Sequence, residues 1–88
     1  MDETMENRLK RLRLRSWRRG TKEMDLILGG FADTELAKLP PDALDAHEAM
    51  MAEHDQDLYA WITGAAPAPV EHDAALQRVL SYLSARTF

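Results

Sequence analysis

Hydrophobic positions along this chain recur three and four residues apart, and nowhere do they alternate as a half-buried strand requires. Met5, Leu9, Leu12 and Ser16 fall on one stripe of a first helix, with Leu14 and Trp17 on another side, so this helix has two apolar contacts to satisfy. It should stop near Gly20, because glycine tolerates left-handed backbone and Arg18 and Arg19 suit the negative end of the helix dipole. Thr21 is placed to cap a second helix, with Glu23 and Asp25 in its first turn and Met24, Ile27, Leu28 and Phe31 as its buried stripe. Inside that stripe, Gly29-Gly30 costs up to about 1 kcal/mol per glycine relative to alanine, which points either to a bend or to another backbone packing close.

Leu39-Pro40-Pro41-Asp42 marks a connection and the start of a third helix, which is expected to run to about His54. Asp55 reads as the cap of a short fourth helix carrying Leu58, Trp61 and Ile62, closed by Gly64. Residues 64–69, GAAPAP, form a semi-rigid linker, and Leu76, Val79, Leu80 and Leu83 give the cleanest stripe, on a last helix from about Val70 to Arg86. None of these helices is long enough to stand alone. The expected fold class is therefore all-α, a compact five-helix bundle in a single domain over residues 1–88 with its ordered core at about 8–85.

Size and composition then exclude several kinds of chemistry. A chain of 88 residues buries only roughly 60–65% of its unfolded surface, so a deep catalytic cavity is hard to enclose. With no cysteine there is no disulfide, thiolate nucleophile or cysteine-ligated metal, and a reducing compartment is the default. No apolar run approaches the ~18 residues of a membrane span, and residues 1–7, MDETMEN, are too acidic for a secretory or mitochondrial leader. A cytoplasmic protein without membrane insertion is expected, the mitochondrial matrix being disfavoured for want of a transit peptide.

Charge is distributed unevenly behind the net value of -4. Arg8, Lys10, Arg11, Arg13, Arg15, Arg18, Arg19 and Lys22 put eight of the eleven bases into residues 8–22, with no acid among them. The remainder, from residue 24 onward, is acidic. The basic helix suits either nucleic-acid phosphates or an acidic patch on a protein, and the acidic body disfavours the former.

Other constellations are incomplete. His47-Glu48 begins like the zinc-protease pattern, but Met51 stands where the second histidine is needed; His54 could share the face of His47, yet no further ligand completes a site. The histidines are read as surface or half-buried, with no metal site. Asp42, Asp45, Glu48, Glu53, Asp55 and Asp57 read as a solvated face, and Ser16, Ser81 and Ser84 lack a nucleophile's context. Gly29-Gly30 lacks the spacing of a dinucleotide fingerprint. A non-enzymatic protein is expected.

Arg18-Arg19-Gly20-Thr21-Lys22-Glu23-Met24-Asp25 followed by Leu26-Ile27-Leu28, and later Asp57-Leu58-Tyr59-Ala60-Trp61-Ile62, stand out because the first places a bidentate-capable arginine, a permissive glycine and a carboxylate across one tight interhelical turn. Together the two segments resemble the small flavinylation factors of succinate dehydrogenase, known as assembly factor 2 in mitochondria and as the flavinator in bacteria, whose hallmark is an Arg-Gly-x-x-Glu motif followed by an Asp-Leu-aromatic-x-Trp segment. The resemblance covers most of residues 8–85. It implies a five-helix bundle, monomeric when free, that binds the flavoprotein subunit of succinate dehydrogenase or fumarate reductase. There it would promote covalent attachment of FAD, itself holding no cofactor. It further implies that Arg19, Gly20 and Glu23 form the client-binding corner, with Arg18 and Asp25 matching flanking positions and Trp61 the downstream aromatic. Leu58, Trp61 and Ile62 also form a core-facing patch, which favours packing for Trp61. Trp17 sits off the family's upstream aromatic position and receives no role. The alternative is a small helical nucleic-acid-binding protein using residues 8–22.

Overall fold

The architecture follows from where short-range signals start and stop each helix. In a computed structural model, which describes residues 3–86, the chain forms α1 (Met5–Ser16), α2 (Lys22–Glu35), α3 (Pro41–Met51), α4 (Asp55–Thr63) and α5 (Asp73–Ala85). Short 3-10 turns occur at Leu36–Lys38 and Val70–His72, and no strand occurs among the described residues. The all-α, five-helix expectation is met. Met1 and Asp2, at the head of the segment judged unlike a leader, lie outside the described residues, as do Thr87 and Phe88. No helix among the described residues is long and apolar enough to cross a membrane.

Backbone contacts group the helices into two units that divide between Leu39 and Pro40. In the first, Thr4 caps α1 by accepting the Asn7 N–H at 3.1 Å, and Thr21 caps α2 by accepting the Met24 N–H at 3.3 Å. These caps satisfy donors that a helix start leaves orphaned. Leu12, Met24, Leu28, Phe31, Ala32 and Leu36 are its buried apolar side chains, and Ser16 joins them by donating its hydroxyl to the Leu12 carbonyl at 2.7 Å. Met5 lies at the open end of the first stripe and is half exposed, while Leu14 is 51% exposed, so one of the two apolar contacts expected of α1 is left to Trp17. α1 stops at Ser16 with Trp17 as its C-cap, four residues short of Gly20; the glycine serves the turn and not the cap.

In the second unit Pro41 occupies the first position of α3, where its missing N–H removes no helical bond. The helix closes at Met51, not His54: the Ala52 and Glu53 amides fall back on the Ala49 and Met50 carbonyls at 3.3 and 3.1 Å, and His54 is extended. His54 is therefore the N-cap of α4, and Asp55, expected there, lies one residue inside, where its charge meets the helix dipole. Gly64 ends α4 with φ +82°, its N–H to the Trp61 carbonyl and the Ala65 N–H to the Ala60 carbonyl forming a Schellman closure. Val70 is in a 3-10 turn and 90% exposed; α5 proper begins three residues later than the stripe suggested. α3 and α4 both pack on α5, burying Leu44, Met50, Met51, Leu58, Leu76 and Val79.

Candidate functional site

Between α1 and α2 the backbone has one defined path. Trp17 N–H is held by the Arg13 and Leu14 carbonyls and Arg18 N–H by the Arg15 carbonyl, each at 3.2 Å, so the last turn of α1 tightens as it ends. The next amide, of Arg19, leaves the helix and donates to Asp25 Oδ1 at 2.7 Å. Gly20 then turns the chain with φ +108°, a conformation that side chains rarely adopt, and Thr21 opens α2. No heavy atom stands within 4 Å of where a Gly20 Cβ would be, so backbone angle and not crowding demands the glycine.

This turn brings together five of the six residues singled out in the sequence. Arg18 and Glu23 are exposed, and their side chains make no bond among the described residues. Arg19 is half-buried. Asp25 is half-buried too, and through the Arg19 amide it serves the turn's own geometry. Charge-bearing tips flank a rigid, open backbone corner, an arrangement suited to hydrogen-bonding and ion-pairing with another macromolecule.

Trp61 belongs to the second unit. It is half-buried in α4, with its ring 5.8 Å from that of His72, whose Nε2 stands 3.7 Å from Glu53 Oε2. Packing thus accounts for much of Trp61, as its place beside the buried Leu58 suggested. His72 is buried and His47 is 1% exposed, which corrects the expectation of surface or half-buried histidines. Burial, with the Arg78 charge adding to it, lowers the His47 pKa to about 4. Because α3 ends at Met51, His47 and His54 share no helical face. No group of three or more His, Cys, Asp or Glu that could hold a metal occurs among the described residues.

On α1 Lys10 and Arg15 are exposed, as are Arg18 beyond its end and Lys22 at the start of α2, while Arg11 engages Glu3 through two bonds of 2.8 and 2.9 Å that hold the Glu3 carboxyl below its ordinary pKa. Arg13 Nε lies 3.6 Å from Asp33 Oδ1. The same carboxylate oxygen accepts the Trp17 Nε1–H at 3.2 Å, and the Trp17 indole covers Gly29. At Gly29 the helical residues continue without a break, and what approaches closely is the Trp17 side chain, where the sequence had suggested a backbone. The contact of Trp17 with Gly29 is what sequence reasoning missed; an unexplained glycine in a buried stripe, next to a helix that ends on tryptophan, was the available signal.

Comparison with known proteins gives a consistent answer. The family model described as "Flavinator of succinate dehydrogenase" matches residues 10–86. Mitochondrial succinate dehydrogenase assembly factor 2 of Mycosarcoma maydis is 39% identical over 67 residues, 76% of this chain and 28% of that protein. Its counterpart in Candida glabrata is 36% identical over 63 residues, 72% of this chain and 41% of that protein. FAD assembly factor SdhE of Legionella pneumophila is 38% identical over 60 residues, 68% of this chain and 76% of that protein. This chain thus spans less than half the length of these two mitochondrial relatives and most of the bacterial one. No solved structure matches.

Proposed function

Because the chain belongs to the succinate dehydrogenase flavinator family, we propose that it is an assembly factor that binds the flavoprotein subunit of succinate dehydrogenase, or of fumarate reductase, and promotes covalent attachment of FAD there. The observation that carries the reading is the corner itself: exposed Arg18 and Glu23 on either side of a glycine held at φ +108°, with the intervening Arg19 amide tied to Asp25. A factor of this kind needs no cavity. It biases its client toward the conformation it binds best, and only by the difference in affinity between the client's states. A small preorganised corner supplies that difference, because little ordering entropy remains to be lost on docking.

In this reading Arg18, Arg19 and Glu23 contact the client as charged hydrogen-bonding groups, and Gly20 admits close backbone approach. Asp25 holds the corner from behind, and Trp61 supports its own unit through His72. FAD belongs to the client, the flavin bond forms within that subunit, and the factor acts as a non-catalytic monomer. The family assignment favours a protein client over nucleic acid for the basic face of residues 8–22, and the same cations steer it toward an acidic surface.

The test is covalent flavin on the purified client, read by fluorescence in a denaturing gel. Glu23→Ala should leave the helical circular-dichroism spectrum and melting temperature near wild type, since Glu23 is exposed and without a side-chain bond among the described residues, yet abolish the gain in flavinylation. Normal flavinylation by a folded Glu23→Ala protein would refute the assignment of the corner. Tight, steeply salt-dependent binding of DNA or RNA, with no client bound, would refute the function as a whole.

A further inference from the structure

Residues descending α1 meet residues ascending α2 in order. The Arg19 amide bonds Asp25, the Trp17 ring lies on Gly29 with its Nε1–H on Asp33, and Arg13 approaches the same Asp33 carboxylate. Asp25, Gly29 and Asp33 are spaced by four, so they form one stripe along α2. The polar contacts at Asp33 are exposed and contribute little alone. Gly29 differs in kind. A Cβ there would lie 2.6 Å from Trp17 Cε3 and closer still to Cδ2 and Cε2, so the indole fills space that any other residue would claim.

Trp17 is also the residue on which α1 ends, and Arg18 and Arg19 follow it directly. Holding its ring therefore holds the end of the helix from which the corner departs. We infer that Trp17 is a positioning residue for the corner: seated on Gly29, it sets the direction in which Arg18 and Arg19 leave α1 toward Gly20, while the Arg19–Asp25 bond closes the other end of the same short segment. Fixed at two points on one stripe of α2, the segment presents its charged groups from a single geometry, which a site needs if its side chains are to dock without first being ordered.

The geometric part stands by itself; its consequence for binding rests on the proposed function. Both are tested with 15N-labelled protein and with the apo flavoprotein subunit of succinate dehydrogenase as probe. Trp17→Ala, which empties the seat without a clash, should shift the Arg19 and Gly20 amide resonances and speed Arg19 amide exchange. Client affinity should then weaken about tenfold or more. Gly29→Ala should do the same by unseating the ring, and the double variant should be no worse than Trp17→Ala, because both changes break one contact. Trp17→Phe keeps a ring on the glycine and should restore Arg19 exchange and affinity to near wild type.

Val79→Ala, which removes buried volume in the second unit, should lower the melting temperature yet leave the Arg19 amide and the affinity below that melt unchanged. Unchanged Arg19 exchange in Trp17→Ala, additive losses in the double variant, or a loss of affinity in Val79→Ala equal to that in Trp17→Ala would each overturn the inference. If the wild-type protein does not bind the flavoprotein subunit, the proposed function fails, and the amide measurements alone decide the positioning role.

Discussion

His47 offers a quantitative test of how the second unit is packed. Its ring is 1% exposed in α3, and burial, reinforced by the Arg78 charge on α5, lowers its pKa from 6.5 to about 4. The unfolded chain therefore takes up a proton near pH 6.5 while the folded chain resists it until near pH 4. The stability that the neutral histidine contributes is complete above pH 6.5 and is lost as pH falls between those two values. Linkage gives about 1 kcal/mol lost by pH 5.5 and about 3 kcal/mol by pH 4. Against the roughly 4–13 kcal/mol expected of a domain this size, the second figure is a substantial fraction. Urea unfolding at pH 7.5, 5.5 and 4 should show the wild type losing ground to His47→Leu by these amounts, since the variant cannot titrate at this position. A difference between the two proteins that stays constant from pH 7.5 to 5.5 would refute the reading that His47 is buried in its neutral form.

Three further outcomes follow from the first unit. Gly20→Ala should destabilise by about 1–2 kcal/mol through its φ of +108° alone, and a melting temperature equal to wild type would show that the turn relaxes freely. Thr21→Ala removes the acceptor of the Met24 amide and should cost about 1 kcal/mol in urea unfolding; Thr21→Asn should recover most of it. Affinity for the proposed flavoprotein client should fall as salt rises from 50 to 300 mM, mainly through a slower association rate. Lys10→Glu combined with Arg15→Glu should flatten that dependence, and a salt-independent rate would show that the basic face of α1 takes no part in docking.

The features legible in the sequence are those written within a few residues. Thr21 precedes Glu23 and Asp25, Pro41 follows an extended Pro40, and Gly64 follows an apolar turn; each acts on backbone groups that it reaches directly, so each appears where expected. The ends of α1 and α3 carry no comparable stop, and there the boundaries moved by three or four residues. His47 shows a different failure. It occupies the same stripe as Ala43, Leu44, Met50 and Met51, and the spacing alone placed it in the core; treating histidine as a polar side chain or a ligand outweighed that position. The residues of the corner were legible through resemblance, but the bond from the Arg19 amide to Asp25 was not, and the reason is the one that hid Trp17. Once α2 is a helix, the spacing of Asp25, Gly29 and Asp33 makes one stripe. Which residue of α1 lies over each of them depends on the register of the hairpin, and that register is set by the contact in question. A large ring and a missing Cβ, twelve residues apart, are each anomalous alone and explain one another only when packed together.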